Sequence, residues 1–393
     1  MLNGYLYNNL AENINKENLG KLYGNTLETS ISKLENYRRC PFSYYLKYGL
    51  KLSERTELKL QSLDTGTFMH EVIDDFFSYV NDININIKEI DNEEISKIIG
   101  KIVDEKLLLN KNYIFNTIPK YIILSKRLKK VIINAITYII DTLKNSDFKV
   151  LGTELEFGKG KQYAPIEIQL ENGKKVQIVG KIDRVDIAEN KDGKYIRIID
   201  YKSSVKNIDL NEVVAGIQIQ LLTYLDAVSK KEEAIPAGTL YFSLIDPIIK
   251  AKNKNITDEQ LKQEIRNNFK INGLILGDIN VVKMMDNKIS QGSSNIIPAY
   301  IDKDGNLSEK KSNVLKKDEF IKLQNKVENT IKEIAKNILD GVIQQKPVYL
   351  YKNKRTACDF CNFKAICGFD TKLCNNNYNY IPNASKNEIL EKL

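Results

Sequence analysis

Three residues in two neighbouring stretches, GKIDRVD and IIDYKSS, could together hold a divalent cation against a phosphodiester: Asp183, Asp200 and Lys202. Side chains alternate along a strand, so Asp200 and Lys202 share a face while Tyr201 points away. A hairpin joining the stretches brings Asp183 beside Asp200. Carboxylate oxygens are natural ligands for Mg²⁺, which polarises a phosphoryl oxygen and acidifies a bound water. An ammonium beside them can orient that water and offset phosphate charge. The same pattern also occurs at exposed strand ends as a plain salt bridge, so its surroundings matter. Glu154 stands in TELEF, on the strand entering this region. QLLTY sets Gln220 and Tyr224 one helical turn apart, and GTFMH supplies His70, the single histidine of the chain. Taken alone, a helical histidine is more often a packing residue than a ligand, and Gln220 and Tyr224 read as helix surface and a core aromatic.

A second kind of chemistry lies near the C-terminus. RTACDFCNFKAICGFD holds Cys358, Cys361 and Cys367 in a C-x2-C-x5-C run, three of five cysteines, with Cys374 shortly after. Thiolates spaced in this way hold a metal or a cluster, which ordinarily takes four ligands. The N-terminal residues have no basic segment followed by an apolar core, and no apolar run reaches membrane-spanning length. The expectation is therefore a reducing cytoplasm, where metal ligation is favoured over disulfides. Spacing leaves both the fourth ligand and the choice between zinc and an iron–sulfur cluster open.

These residues need elements to position them. Residues 1–28 are polar and weakly periodic and read as a tether or the end of an upstream region. Ser30 is an N-cap for ISKLENYRRC, and Pro41 opens a second helix, PFSYYLKYGL. Helices are expected over 67–80, 91–110 and 119–145, so the first 145 residues are mostly α, with 81–145 a helical insert. From KVLGTELEFG the pattern becomes strand-like, with Asn172-Gly173 and Asp192-Gly193 as hairpin signals, and reads as an antiparallel meander of three or four strands. A helix over about 212–230, a strand at GTLYFSLID and a long helix near 317–340 complete the outline. No fixed-period repeat occurs. The net charge of +8 is a mild push toward a polyanionic partner.

GTFMH, ELEFG, GKIDRVD, IIDYKSS and QLLTY occur here in the order of RecB-type nucleases of the PD-(D/E)XK superfamily. YRRCPFSYYLKYGL upstream, paired with CDFCNFKAIC downstream, resembles a narrower group, the AddB subunits of AddAB helicase–nucleases, whose nuclease domain carries an iron–sulfur cluster. The resemblance covers about residues 26–370. It implies an α/β nuclease core, a central mixed sheet flanked by helices, over 29–370, with 371–393 as a tail. It implies Cys40 as the fourth ligand, with Cys358, Cys361 and Cys367 around a 4Fe-4S cluster that staples the two ends of the domain, and Cys374 as a bystander. His70, Asp183, Asp200 and the Tyr201 backbone carbonyl would bind Mg²⁺, and Lys202 would be the catalytic lysine. Gln220 would steady the lysine or water, Tyr224 would contact the DNA strand, and Glu154 would have a supporting role. The activity implied is cleavage of single-stranded DNA from the 5′-ended strand in double-strand-break repair, with an AddA-type helicase–nuclease subunit as partner.

AddB proteins are far longer, and no G-x4-GK[ST] phosphate loop occurs in this chain, so ATP hydrolysis is not expected of it. Two other readings compete. A stand-alone RecB-like exonuclease of the CRISPR-adaptation type shares the core and cluster but is usually shorter than a chain with this helical insert. A catalytically silent, cluster-stapled DNA-binding module would not need Asp183, Asp200 and Lys202 converging on one face.

Overall fold

The computed structural model describes residues 9–55, 62–171, 173–245, 271–373 and 375–393, with positions 257 and 269; Asn172 and Cys374 lie outside the described residues. The stretch expected to be a tether contains a helix, α1 (Lys16–Tyr23), and a strand, β1 (Thr26–Thr29). Helix α1 buries no side chain, so no apolar stripe marks it in the sequence. Ser30 caps α2 (Ile31–Arg39) by accepting the Lys33 N–H, and Pro41 opens α3 (Pro41–Tyr44), which continues as a π-turn through Gly49. Then come α4 (Ser62–Asp82), α5 (Asn92–Leu107) and α6 (Pro119–Lys144).

The strands follow: β2 (Lys149–Phe157), β3 (Ile166–Gln169), β4 (Lys175–Ile178), β5 (Gly180–Asn190) and β6 (Gly193–Lys202). After α7 (Leu210–Val214) and α8 (Gln220–Lys231) come β7 (Ile235–Ser243), β8 (Asn272–Leu276) and α9 (Ile279–Met285). The short strands β9 (Gly292–Ser293), β10 (Tyr300–Ile301) and β11 (Val314–Leu315) lead to α10 (Lys317–Leu339). The C-terminal part holds β12 (Val348–Leu350), β13 (Arg355–Thr356), α11 (Lys364–Cys367), β14 (Asn379–Ile381) and α12 (Lys386–Glu391). Among the described residues, no helix is long and apolar enough to cross a membrane.

The main sheet has six strands in the order β11-β8-β7-β6-β5-β2. Its centre is β6, paired antiparallel with β5 and parallel with β7. The parallel pair needs a crossover, which α7 and α8 supply. Two expectations change here. The meander is split, because β3 and β4 leave the main sheet to pair with β1 in a small sheet of order β1-β4-β3, while β2 pairs directly with β5. The helix expected over 212–230 is two helices. Gly216 between them has φ +83, and a Cβ there would run into Thr330 and Arg38.

Helices cover both faces of the sheet, as a mixed sheet buried on two sides requires. On one face α4, α5 and α6 pack Phe68, Phe76, Ile99, Ile132 and Ile139 against Ile199, Tyr201 and Phe242. On the other α2, α8 and α10 pack Leu34, Leu225 and Ile331 against Ile196, Ile198 and Tyr241. The segment 81–145 is therefore not peripheral: α5 and α6 form one wall of the core.

Candidate active site and cysteine cavity

Strands β5 and β6 pair through Arg184↔Ile199, a register that sets Asp183 opposite Asp200 just where the ladder opens. There the Tyr201 N–H donates to the Asp183 side chain, at 2.7 Å from Oδ2. From the helical side, α4 delivers His70. Its Nδ1 lies 3.5 Å from Asp183 Oδ2 and 3.8 Å from Glu154 Oε1, and its Nε2 lies 3.0 Å from the Tyr201 carbonyl oxygen. Ligand atoms of His70, Glu154 and Asp183 all fall within 4.8 Å of one another.

Glu154, expected only in support, thus stands in the closest group, while Asp200 does not. The reason is local backbone. Strand β2 shifts register between Val150 and Gly152, and Glu154 itself has φ +49, the left-handed region. A non-glycine residue held there costs on the order of 1–3 kcal/mol and persists only where its surroundings fix it. Here the carboxylate is aimed at His70 and pairs with Lys181, the second residue of GKIDRVD.

Asp200 is 5 % exposed. Burial first, and then the charge of Asp183, raise its carboxyl to about 6, against the pull of Lys202. Lys202 Nζ lies 2.5 Å from Asp200 Oδ2, yet no well-directed hydrogen bond reaches that buried oxygen. For His70, burial would lower the pKa, but Asp183 and Glu154 outweigh it and push the imidazole up to about 10. A buried carboxylate oxygen with only an ammonium against it, beside hard oxygen donors and one imidazole, belongs to a donor set that suits a divalent cation.

Beneath the site runs a buried ion network. Arg184 grips Asp186 with two bonds of 2.8 and 2.9 Å, Arg197 Nε donates to Asp186 Oδ2 at 2.9 Å, and Arg184 Nη1 reaches the Tyr201 hydroxyl at 3.3 Å. All three charged residues are fully buried, and the Arg197 guanidinium lies over the Phe148 ring. The network holds from below the residue whose carbonyl and N–H meet His70 and Asp183.

Gln220 and Tyr224 lie one turn apart on α8, as the spacing predicts. Tyr224, which the resemblance implies contacts the DNA strand, is buried in the chain alone. It is 3 % exposed, its ring stacks on Phe157 at 5.7 Å, and a Cβ on Gly180 would overlap its hydroxyl. The ring fills the floor beside β5 and does not face solvent.

Cys40 and the C-terminal cysteines lie far apart in the sequence but meet in space. Cys40, at the junction of α2 and α3, lines one cavity of about 250 Å³ with Cys358, Cys361 and Cys367. Phe42, Pro347, Phe363 and Tyr378 supply an apolar wall. Burial pushes the Cys40 thiol up to about 12, and burial with the neighbouring cysteines raises Cys358 to about 11. The four sulfurs are not drawn into a tight knot: among the described residues, the histidine–carboxylate group is the one with three ligand atoms within 4.8 Å. The N-terminal arm closes over this region, where Asn9 Nδ2 donates to the carbonyls of Cys367 and Gly368.

Residues 28–368 match the family model described as the PD-(D/E)XK nuclease superfamily. The chain is 41 % identical over 393 residues to a subunit of the ATP-dependent helicase/deoxyribonuclease of Clostridium novyi, covering 98 % of this chain and 34 % of that protein. It is 40 % identical to the corresponding protein of Clostridium tetani, covering 99 % and 34 %, and 38 % identical to that of Thermoanaerobacter sp., covering 100 % and 34 %. The chain spans about a third of the length of these relatives.

Proposed function

The chain belongs to the PD-(D/E)XK nuclease superfamily, and from that premise we propose that it is a Mg²⁺-dependent deoxyribonuclease. It would be an exonuclease on the 5′-ended strand of single-stranded DNA, acting in double-strand-break repair as the nuclease part of an AddAB-type helicase–nuclease with an AddA-type subunit. The observation that carries the reading is the sheet edge where His70, Glu154 and Asp183 converge within 4.8 Å beside the buried Asp200 oxygen and the Lys202 ammonium. The name borne by the relatives, that of a helicase/deoxyribonuclease component, supports the choice of DNA and of a multi-subunit setting.

His70, Asp183, Asp200 and the Tyr201 carbonyl would hold the cation, with Glu154 close enough to join them. Bound there, Mg²⁺ would polarise a phosphoryl oxygen and acidify a water. The chain's own contribution is charge and position. Lys202 offsets charge that builds on the phosphate and orients the attacking water. Lys181 pairs with Glu154, and Gln220 would steady the lysine or the water from α8.

Cys40, Cys358, Cys361 and Cys367 would hold a 4Fe-4S cluster. The four share one cavity with an apolar wall, which fits a group held by four thiolates, and the resemblance to AddB subunits favours iron–sulfur over zinc.

The test is cleavage of an end-labelled single-stranded oligonucleotide with Mg²⁺ titrated in. Digestion should require the cation and stop with chelator. Asp200→Ala should lose on the order of 10³-fold or more while the fold and any iron are retained. Lys202→Ala should lose on the order of 10²- to 10³-fold in rate but keep its Mg²⁺ affinity by calorimetry. Digestion by Asp200→Ala at the wild-type rate would falsify the active-site assignment.

A further inference from the structure

Helix α8, which carries Gln220 and Tyr224, has no cap of its own: Ile219 stands at its N-cap and offers no side-chain acceptor. The acceptor comes from α2. Glu35 Oε1 receives the N–H of Ile219 at 2.7 Å and that of Gln220 at 3.0 Å. The same helix holds the lead-in to α8 at two further points, since Arg38 Nε donates to the Ala215 carbonyl at 2.8 Å and Arg39 Nη2 to the Ile217 carbonyl at 3.0 Å. Polar side chains from one stretch of α2 therefore grip one short segment, 215–220. Five residues after Glu35, the same helix ends on Cys40, a wall of the cysteine cavity.

We propose that α2 is a bracket between the cysteine cavity and the active site, with Glu35 as the positioning residue that seats Gln220 and Tyr224. This rests on the nuclease reading of the sheet edge, and it names a part of that site which the motifs do not. Orphan N–H groups at a helix start are ordinarily satisfied within the turn that precedes them. Here the acceptor lies more than 180 residues earlier in the chain, so the seat of α8 depends on where α2 sits. The role needs an oxygen acceptor and not a charge. Burial in fact raises the Glu35 carboxyl, with the two N–H bonds and the charges of Lys206 and Arg39 pulling against it. Glutamine presents the same acceptor, which separates the cap from any electrostatic role.

The experiment compares the full iron-loaded chain with Glu35→Ala and Glu35→Gln, read by amide hydrogen exchange, iron content and steady-state cleavage of single-stranded DNA with Mg²⁺. In Glu35→Ala, the amides of Ile219 and Gln220 should exchange at least about tenfold faster and kcat should fall on the order of tenfold, with KM for DNA within about twofold and iron unchanged. Glu35→Gln should restore both exchange and kcat. Unchanged exchange at Ile219 and Gln220 in Glu35→Ala would overturn the bracket. Faster exchange throughout the chain with loss of iron would overturn it in favour of a general structural role, and local exchange without a change in kcat would overturn the positioning role. If the wild-type chain does not cleave DNA at all, the nuclease reading falls, while the local exchange of the two amides still decides whether Glu35 seats α8.

Discussion

The carboxylate edge and the cysteine cavity are assembled by opposite routes. Glu154, Asp183 and Asp200 come from β2, β5 and β6, three neighbouring strands whose side-by-side pairing sets their positions. Apolar layers cover both faces of that sheet. Cys40 and the run from Cys358 to Cys367 come from opposite ends of the chain. They are framed by short elements, with Phe360 and Ile366 exposed beside them. The first site is held by the core and would keep its shape without any ligand. The second has little core of its own, and a cluster held by its thiolates, as proposed, would help to close it. On that proposal a single chain carries one site that the fold makes and one that helps to make the fold.

The sharpest way to break this contrast is Cys40→Ala. If the four thiolates share one cluster, the variant should lose its visible absorbance at roughly 400 nm. In the chain-entropy picture, opening a loop of this length costs on the order of 5 kcal/mol, felt first at the two ends. Mg²⁺ binding at the sheet edge should survive, since no carboxylate position depends directly on Cys40. Full iron content in Cys40→Ala would sink the four-ligand scheme. Simultaneous loss of Mg²⁺ binding would erase the difference between the two sites.

The reciprocal change lies under the sheet. Asp186→Ala leaves the guanidinium groups of Arg184 and Arg197 buried without their shared carboxylate. Breaking a buried ion network by removing one partner costs about 3–5 kcal/mol. The loss should appear as a lowered denaturant midpoint and weaker Mg²⁺ binding, because Arg184 also holds the Tyr201 hydroxyl. The iron absorbance should not change below the unfolding transition. A variant that bleaches while still folded would show that sheet and cavity are not separate.

What the sequence revealed of each site follows the same division. Asp183, Asp200 and Lys202 were legible because strand alternation and a hairpin are short-range geometry. Glu154 was legible as a residue but not as a member of the closest group. That depends on a register shift and a left-handed φ in a residue with no special preference for either. Arg184, Asp186 and Arg197 look in the sequence like solvated charges on strands, and only the second layer of helices buries them. Glu35 carried no signal, because its partners are backbone groups of a helix far along the chain. The proposal of Cys40 as a ligand rests in the sequence on resemblance alone; nothing in YRRCPF points to a partner at the other end. The split of the 212–230 helix was readable in principle from Gly216, whose positive φ ends the first piece.

The smallest expected effect tests how the exposed end is finished. Asn9 donates through one Nδ2 to the carbonyls of Cys367 at 3.2 Å and Gly368 at 2.8 Å, and its Oδ1 accepts from Asn376 at 2.7 Å. The arm behind it is tied to the loop after α10, with the Ala11 N–H donating to Gln345 at 2.6 Å and the Ile14 N–H to the Gly341 carbonyl at 2.9 Å. These bonds are partly exposed, so replacing the side chain removes net hydrogen-bond energy without stranding a deeply buried charge. Asn9→Ala should therefore cost about 1 kcal/mol. If the cavity closes mainly through its thiolates, the variant should keep its iron and its cleavage rate but lose iron to a chelator severalfold faster, as the arm frays from the Cys367 loop. Chelator release at the wild-type rate would mean that the arm is decoration. Loss of iron at equilibrium would mean that hydrogen bonds, and not the staple, close that end of the molecule.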